Sequence, residues 1–185
     1  MIYFGVLAVA YQSSLFGFFA AVCLSGVFSF GMSYLPGVLT LDFKESMLPA
    51  VVFGHLIVIA GYIATFKNAP EYTMYFNIGI QYYCTIALGV ALLVGASPFY
   101  KKEVAAGYAL MFMVIAVMSS FGYFFYDLKV MSSIVMIFFV LFLLEWIGYF
   151  SYHSGAIIGS AMIGGTLFGL AMLFEKYGSM IILKI

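Results

Sequence analysis

Glu145 and His55 lie inside long apolar runs of this 185-residue chain, and Tyr149 follows Glu145 by four residues. Their types suit proton chemistry. Imidazole titrates near neutrality, and a carboxyl group held away from bulk water is a candidate proton carrier. A phenol one helical turn further on can hydrogen-bond to that carboxyl. Within "KVMSSIVMIFFVLFLLEWIGYFSYHSG" (129–155) no lysine is nearer to Glu145 than Lys129. A carboxylate facing lipid there would cost about 2–3 kcal/mol or more, so Glu145 is expected to face protein or water. Glu145, His55 and Tyr149 are therefore the proton-relay candidates. The plainer reading of each is also open: Glu145 as an interfacial residue satisfied by water and Tyr149, and His55 as a bundle-facing residue hydrogen-bonded to a neighbouring helix.

Other chemistries find little footing. All seven basic residues are lysine, so the rigid fork that grips phosphates and carboxylates at two points is missing. No Gly-rich phosphate loop, H-E-x-x-H or nucleophile elbow is present, and a formal net charge of zero argues against nucleic acid. His55 falls near the middle of one apolar run and His153 at the end of another, so they are poorly placed to clasp a haem. Cys23 and Cys84 read as small packing residues. The chain is expected to bind no metal or cofactor of its own and to carry no catalytic residues.

The elements that position these residues follow from composition. Hydrophobic residues make up 66% of the chain and charged ones 8%, too few charges for a water-facing surface on a domain of this size. The charges gather at 42–45, 67–71, 101–103, 127–129 and 175–184. Between them run apolar stretches of about 20 residues, enough to cross hydrocarbon as helices. We expect an all-α polytopic integral membrane helix bundle of about six transmembrane helices, five being possible: roughly 2–34, 47–66, 73–97, 104–126, 130–150 and 155–174. The first is too long for one straight span and too short for two, so residues 2–43 read as one or two helices. No cleavable leader or soluble domain is expected, and residues 1–185 read as one transmembrane domain. Lysines divide four to three between the two faces of such a bundle, which sets no orientation.

Small residues crowd "SGAIIGSAMIGGTLFGLAM", where Gly155, Gly159, Gly164, Gly165 and Gly169 form a helix-packing face. The aromatic clusters at 121–127 and 149–153 suit the membrane interface. Asn77 and Gln81 are four apart, with Tyr75 and Tyr83 nearby, and make one polar stripe on an otherwise apolar helix.

Three stretches resemble a known family, the sixth membrane subunit of mitochondrial NADH:ubiquinone oxidoreductase, called the J chain in bacteria. Gln12, Ser13, Ser14, Leu15 and Phe16, with Gly26 later, are similar to its H-S-x-L-F pattern. "VFGHLIVI" (52–59) is similar to V-Y-x-G-x-I-x-V, with Gly54 one residue early and His55 after it. Ile147, Gly148, Ser151 and Tyr152 are similar to L-G-x-x-L-Y. The resemblance covers about a fifth of the chain and implies a non-catalytic subunit that helps couple quinone reduction to proton translocation. It also implies a mitochondrial inner membrane, or alternatively a bacterial or archaeal one. Other hydrophobic subunits and lipids would be its neighbours, and Phe53 and Gly54 would mark a π-bulge. The rival class is a stand-alone six-helix channel or transporter for a small solute such as acetate or urea. Its usual N-P-A-P-L-G-L signature is absent, with only "YLPGVL" (34–39) as a distant echo.

Overall fold

Gln12 breaks the first apolar run. Its φ of 51° is left-handed backbone, through which an α-helix cannot continue. Helix α1 (Ile2–Ala10) ends at Tyr11, and Ser13, extended at φ −116°, opens helix α2 (Ser14–Val27). The two short helices fold back on each other around Phe4, whose ring lies 6.5 Å from Phe16 and 5.7 Å from Phe19. Of the one or two helices read over residues 2–43, the structure has two. After α2 comes an antiparallel hairpin, β1 (Gly31–Leu35) with β2 (Val38–Asp42), pairing Gly31 with Asp42 and Leu35 with Val38.

The computed structural model describes residues 1–28, 31–35, 38–42, 48–66, 70–99, 102–125 and 128–155, and residues 161, 164, 165, 168 and 172. The remaining elements are helical. They are α3 (Leu48–Phe66), α4 (Pro70–Thr73), a 3₁₀ turn (Met74–Phe76), a π-helical stretch (Ile78–Cys84), α5 (Thr85–Ala96), α6 (Lys102–Phe125) and α7 (Lys129–Ser154). Four segments are long and apolar enough to cross a membrane: Leu48–Thr65, Met74–Ala96, Val104–Gly122 and Lys129–His153. They match four of the expected spans to within a few residues. The fold is an all-α integral membrane bundle carrying one short hairpin. The expected span at 155–174 lies largely outside the described residues, of which 161, 164, 165, 168 and 172 are helical.

The chain divides into two compact units, Met1–Phe139 and Val140–Ile185, each taken by itself. In the first, α2 lies against Met74–Cys84 at a backbone-to-backbone approach. A Cβ on Gly17 would overlap the Tyr75 carbonyl, and one on Gly79 would come within 2.7 Å of the Ala21 Cβ. Gly17, Ala21 and Gly79 thus form the kind of small-residue seam that lets helices touch within lipid. On α6 the buried residues Ala105, Ala109, Phe112 and Ala116 recur at helical spacing and form the face that meets α5, while Gly95 leaves room for the Tyr108 ring. The Ser132 hydroxyl donates to the Ser119 carbonyl at 2.7 Å, tying the start of α7 to α6.

The second unit contains the aromatic ladder of α7. Trp146 lies 6.2 Å from Phe142 and 5.5 Å from Phe150, and the Tyr149 ring is 4.2 Å from His153.

Candidate functional site

Helix α3 buries one stripe: Leu48, Val51, Val52, His55, Ile59 and Tyr62. Two of the six are polar, seven residues apart and so on the same face, about 10 Å along the axis at 1.5 Å per residue. Each organises a layer of hydrogen bonds against the neighbouring helices.

The inner layer joins Ser25 of α2, His55 of α3 and Cys84 at the end of the π-helical stretch, all within 1% of complete burial. His55 Nδ1 lies 2.7 Å from the Val51 carbonyl, which can only accept. That nitrogen therefore carries the proton and donates. Nε2 is left as an acceptor, and the Ser25 hydroxyl, 2.7 Å away, donates to it. The Ser25 oxygen is in turn a hydrogen-bond partner for the Cys84 thiol. The result is a directed line, Ser25 O–H to His55 Nε2 and His55 Nδ1–H to the Val51 carbonyl, with the Cys84 side chain beside Ser25. Ser25 and His55 each hold an exchangeable proton and a lone pair, and the line ends on the Val51 carbonyl, which only accepts. The Phe28 ring closes the layer, standing 5.5 Å edge-on from His55 and covering Gly54, where a Cβ would come within 2.6 Å of it.

The outer layer is built on Tyr62, 3% exposed. Its hydroxyl donates to Asn77 Oδ1 and accepts from Gln81 Nε2 at 2.8 Å. The polar stripe read from the Asn77–Gln81 spacing thus converges on a single phenol. Between the two layers runs the π-helical stretch itself, where Thr85 Oγ1 donates to the Ile80 carbonyl five residues back, at 3.3 Å. A wider helical turn is costly and is found mostly at functional positions. Among the described residues no buried side-chain nitrogen or oxygen lacks a partner.

Phe53 and Gly54 lie in regular α-helix, so the π-bulge expected there is corrected. The π geometry occurs at Ile78–Cys84, and Gly54 serves as the seat of the Phe28 ring. Glu145 and Tyr149 belong to the second unit, both half-buried on α7, where the Tyr149 carbonyl meets His153 Nδ1 at 2.9 Å. Gly155 does not sit on a helix face. Its φ of +90° ends α7, the left-handed conformation that a glycine past the last turn adopts freely. Gly164 and Gly165 are helical and exposed with open space around them; Gly159 and Gly169 lie outside the described residues. Cys23 and Cys84 are both free thiols, and no group of three metal-ligating side chains occurs among the described residues.

Sequence reasoning missed Ser25, Tyr62 and Cys84. Tyr62 was reachable, because it follows His55 by seven residues. Ser25 and Cys84 were not, because only the parallel seating of α2 on Met74–Cys84 brings them together. Comparison with known protein families, curated proteins and solved structures finds no match for this chain.

Proposed function

We propose that this chain is a non-catalytic integral membrane subunit of a respiratory proton-pumping complex of the NADH:ubiquinone oxidoreductase type, helping couple quinone reduction to proton translocation. The observation that carries this reading is the buried Ser25–His55 pair, held between helices with Cys84 beside it at the end of a π-helical stretch inside a membrane span. A buried proton-competent line is expensive to keep in hydrocarbon and marks proton or ion traffic more often than simple packing. The local likeness around "VFGHLIVI" (52–59) supports the same class. On this reading the chain sits in a mitochondrial inner membrane, or in the energy-conserving membrane of a prokaryote. It has other hydrophobic subunits as neighbours and leaves the redox centres to them.

The stand-alone channel reading asks for a polar path for acetate or urea. The large cavity of the first unit is walled mainly by leucine, isoleucine, methionine and valine, which gives that reading no support.

Native purification followed by mass spectrometry tests the assignment: the chain is expected to co-purify with several other hydrophobic subunits. Recovery as a small homo-oligomer that gives solute flux in liposomes would overturn it. Within such a complex Glu145→Gln is expected to slow proton-coupled turnover several-fold while assembly stays intact, because the amide keeps the shape of the carboxyl but carries no exchangeable acid proton. Unchanged turnover would reduce Glu145 to an interfacial residue.

A further inference from the structure

Helices α3, α5, α6 and the first turns of α7 enclose a cavity of about 410 Å³ in the first unit. This is within the range of built ligand sites. Leu88, Leu128, Met131 and Val135, all buried, make its floor, while Met118 and Phe121, 66% and 58% exposed, stand at its mouth.

Three fillings can be compared. Water needs about two to four polar partners each, but of the three hydroxyls in the wall Ser132 already donates to the Ser119 carbonyl at 2.7 Å and Thr85 to the Ile80 carbonyl at 3.3 Å, which leaves the half-buried Ser119 hydroxyl, too little to hold a cavity full of water. An empty void of this size would forfeit dispersion contacts along its whole lining, which close-packed proteins avoid. An apolar occupant remains. Every wall belongs to a helix long and apolar enough to cross a membrane, or to its end, so the medium such helices meet outside the protein is hydrocarbon chain. Among the described residues no charged side chain lines the cavity to call for a headgroup inside it.

We propose that this cavity holds one acyl chain of a membrane phospholipid, entering between Met118 and Phe121 and reaching the floor at Leu88 and Val135. This site is independent of the respiratory assignment. A retained lipid would act as a fourth packing surface between α3 and α6, stabilising a bundle whose α6 span is only 22% buried by protein.

The test uses phosphatidylcholine carrying a photoactivatable diazirine in its acyl chain, fed into membranes that contain the full chain in its native assembly. The protein is extracted in detergent, irradiated, and digested for mapping of adducts. Because extraction strips loosely held lipid, adducts are expected on α6 and α5 around Met118 and Leu88, and to be about tenfold rarer on the exposed α3 residues Phe53 and Ile57. Gly122 lines the cavity, and a Cβ there makes only ordinary contacts of 3.6 Å with Leu128 and Ser132. Gly122→Phe should therefore fill the space without disturbing the backbone, and remove the cavity adducts alone. Equal labelling of both faces would mean ordinary boundary lipid and overturn the proposal. Absence of cavity adducts would mean that protein covers the mouth and overturn it too. Displacement of the probe by a polyprenol but not by unlabelled phosphatidylcholine would assign the site to isoprenoid chains, against the proposal.

Discussion

Replacing His55 with glutamine is expected to cut proton-coupled turnover by about a hundredfold, within the range lost when a positioned proton-transfer group is removed, while the amount of assembled protein stays near that of the parent. Glutamine fits the space, can donate to the Val51 carbonyl and can accept from Ser25, so the packing of α2, α3 and the π-helical stretch has no reason to fail. What it cannot do is take up a proton. Stability alone gives little reason for this line, since hydrogen bonds between membrane helices average only about 0.6 kcal/mol. On the proposed function, these buried polar groups serve the movement of a proton rather than adhesion. Ser25→Ala, which removes the donor to His55 Nε2, is expected to lose nearly as much; Cys84→Ser, which keeps a small polar group beside Ser25, should lose little. Proton-to-electron stoichiometry in sealed vesicles, read beside native-gel abundance, measures both quantities. Full pumping in His55→Gln would leave the inner layer as packing and remove the main support for the respiratory assignment.

Gly17→Leu is expected to have the largest effect on folding, with the chain failing to accumulate in the membrane. A Cβ at this position would run into the Tyr75 carbonyl, and backbone cannot swing aside as a side-chain tip can. Overpacking typically costs about 1–3 kcal/mol, and more where the obstacle is rigid. A loss of this size is a large share of a marginal stability. Gly26 supplies the internal control, because it lies on the same helix with nothing within 4 Å of its virtual Cβ. Steady-state abundance and thermal stability in detergent should separate Gly17→Leu from Gly26→Leu clearly. Equal accumulation of the two would show that α2 is not seated on the Met74–Cys84 segment.

The membrane crossings were legible because their signal is collective: some twenty apolar residues between charge clusters admit few other structures in lipid. The start of the chain was less so. The break at Gln12 depends on one residue adopting left-handed backbone, and glutamine carries no strong preference for it. The hairpin had a readable sign, the Pro-Gly of "YLPGVL" between two runs of β-favouring residues, but in so oily a chain the same letters read as the end of a helix. His55 stood out because a polar group in an apolar run is conspicuous. Its partners did not, because a serine and a cysteine are unremarkable in a membrane helix until packing puts them beside an imidazole. Periodicity shows which face of a helix is buried; it does not show which face of another helix lies opposite.

Helix α2 starts level with the beginning of the Met74–Ala96 crossing, since Gly17 meets Tyr75 and Ser25 meets Cys84. Its 14 residues reach only about 21 Å, against about 30 Å of hydrocarbon. The shortfall is a hydrophobic mismatch confined to one sector of the molecule. There the surrounding leaflet thins, or further polypeptide, of this chain or of another, completes the wall. Around α2, short-chain lipid should suit the first unit better than a thick, sterol-rich bilayer.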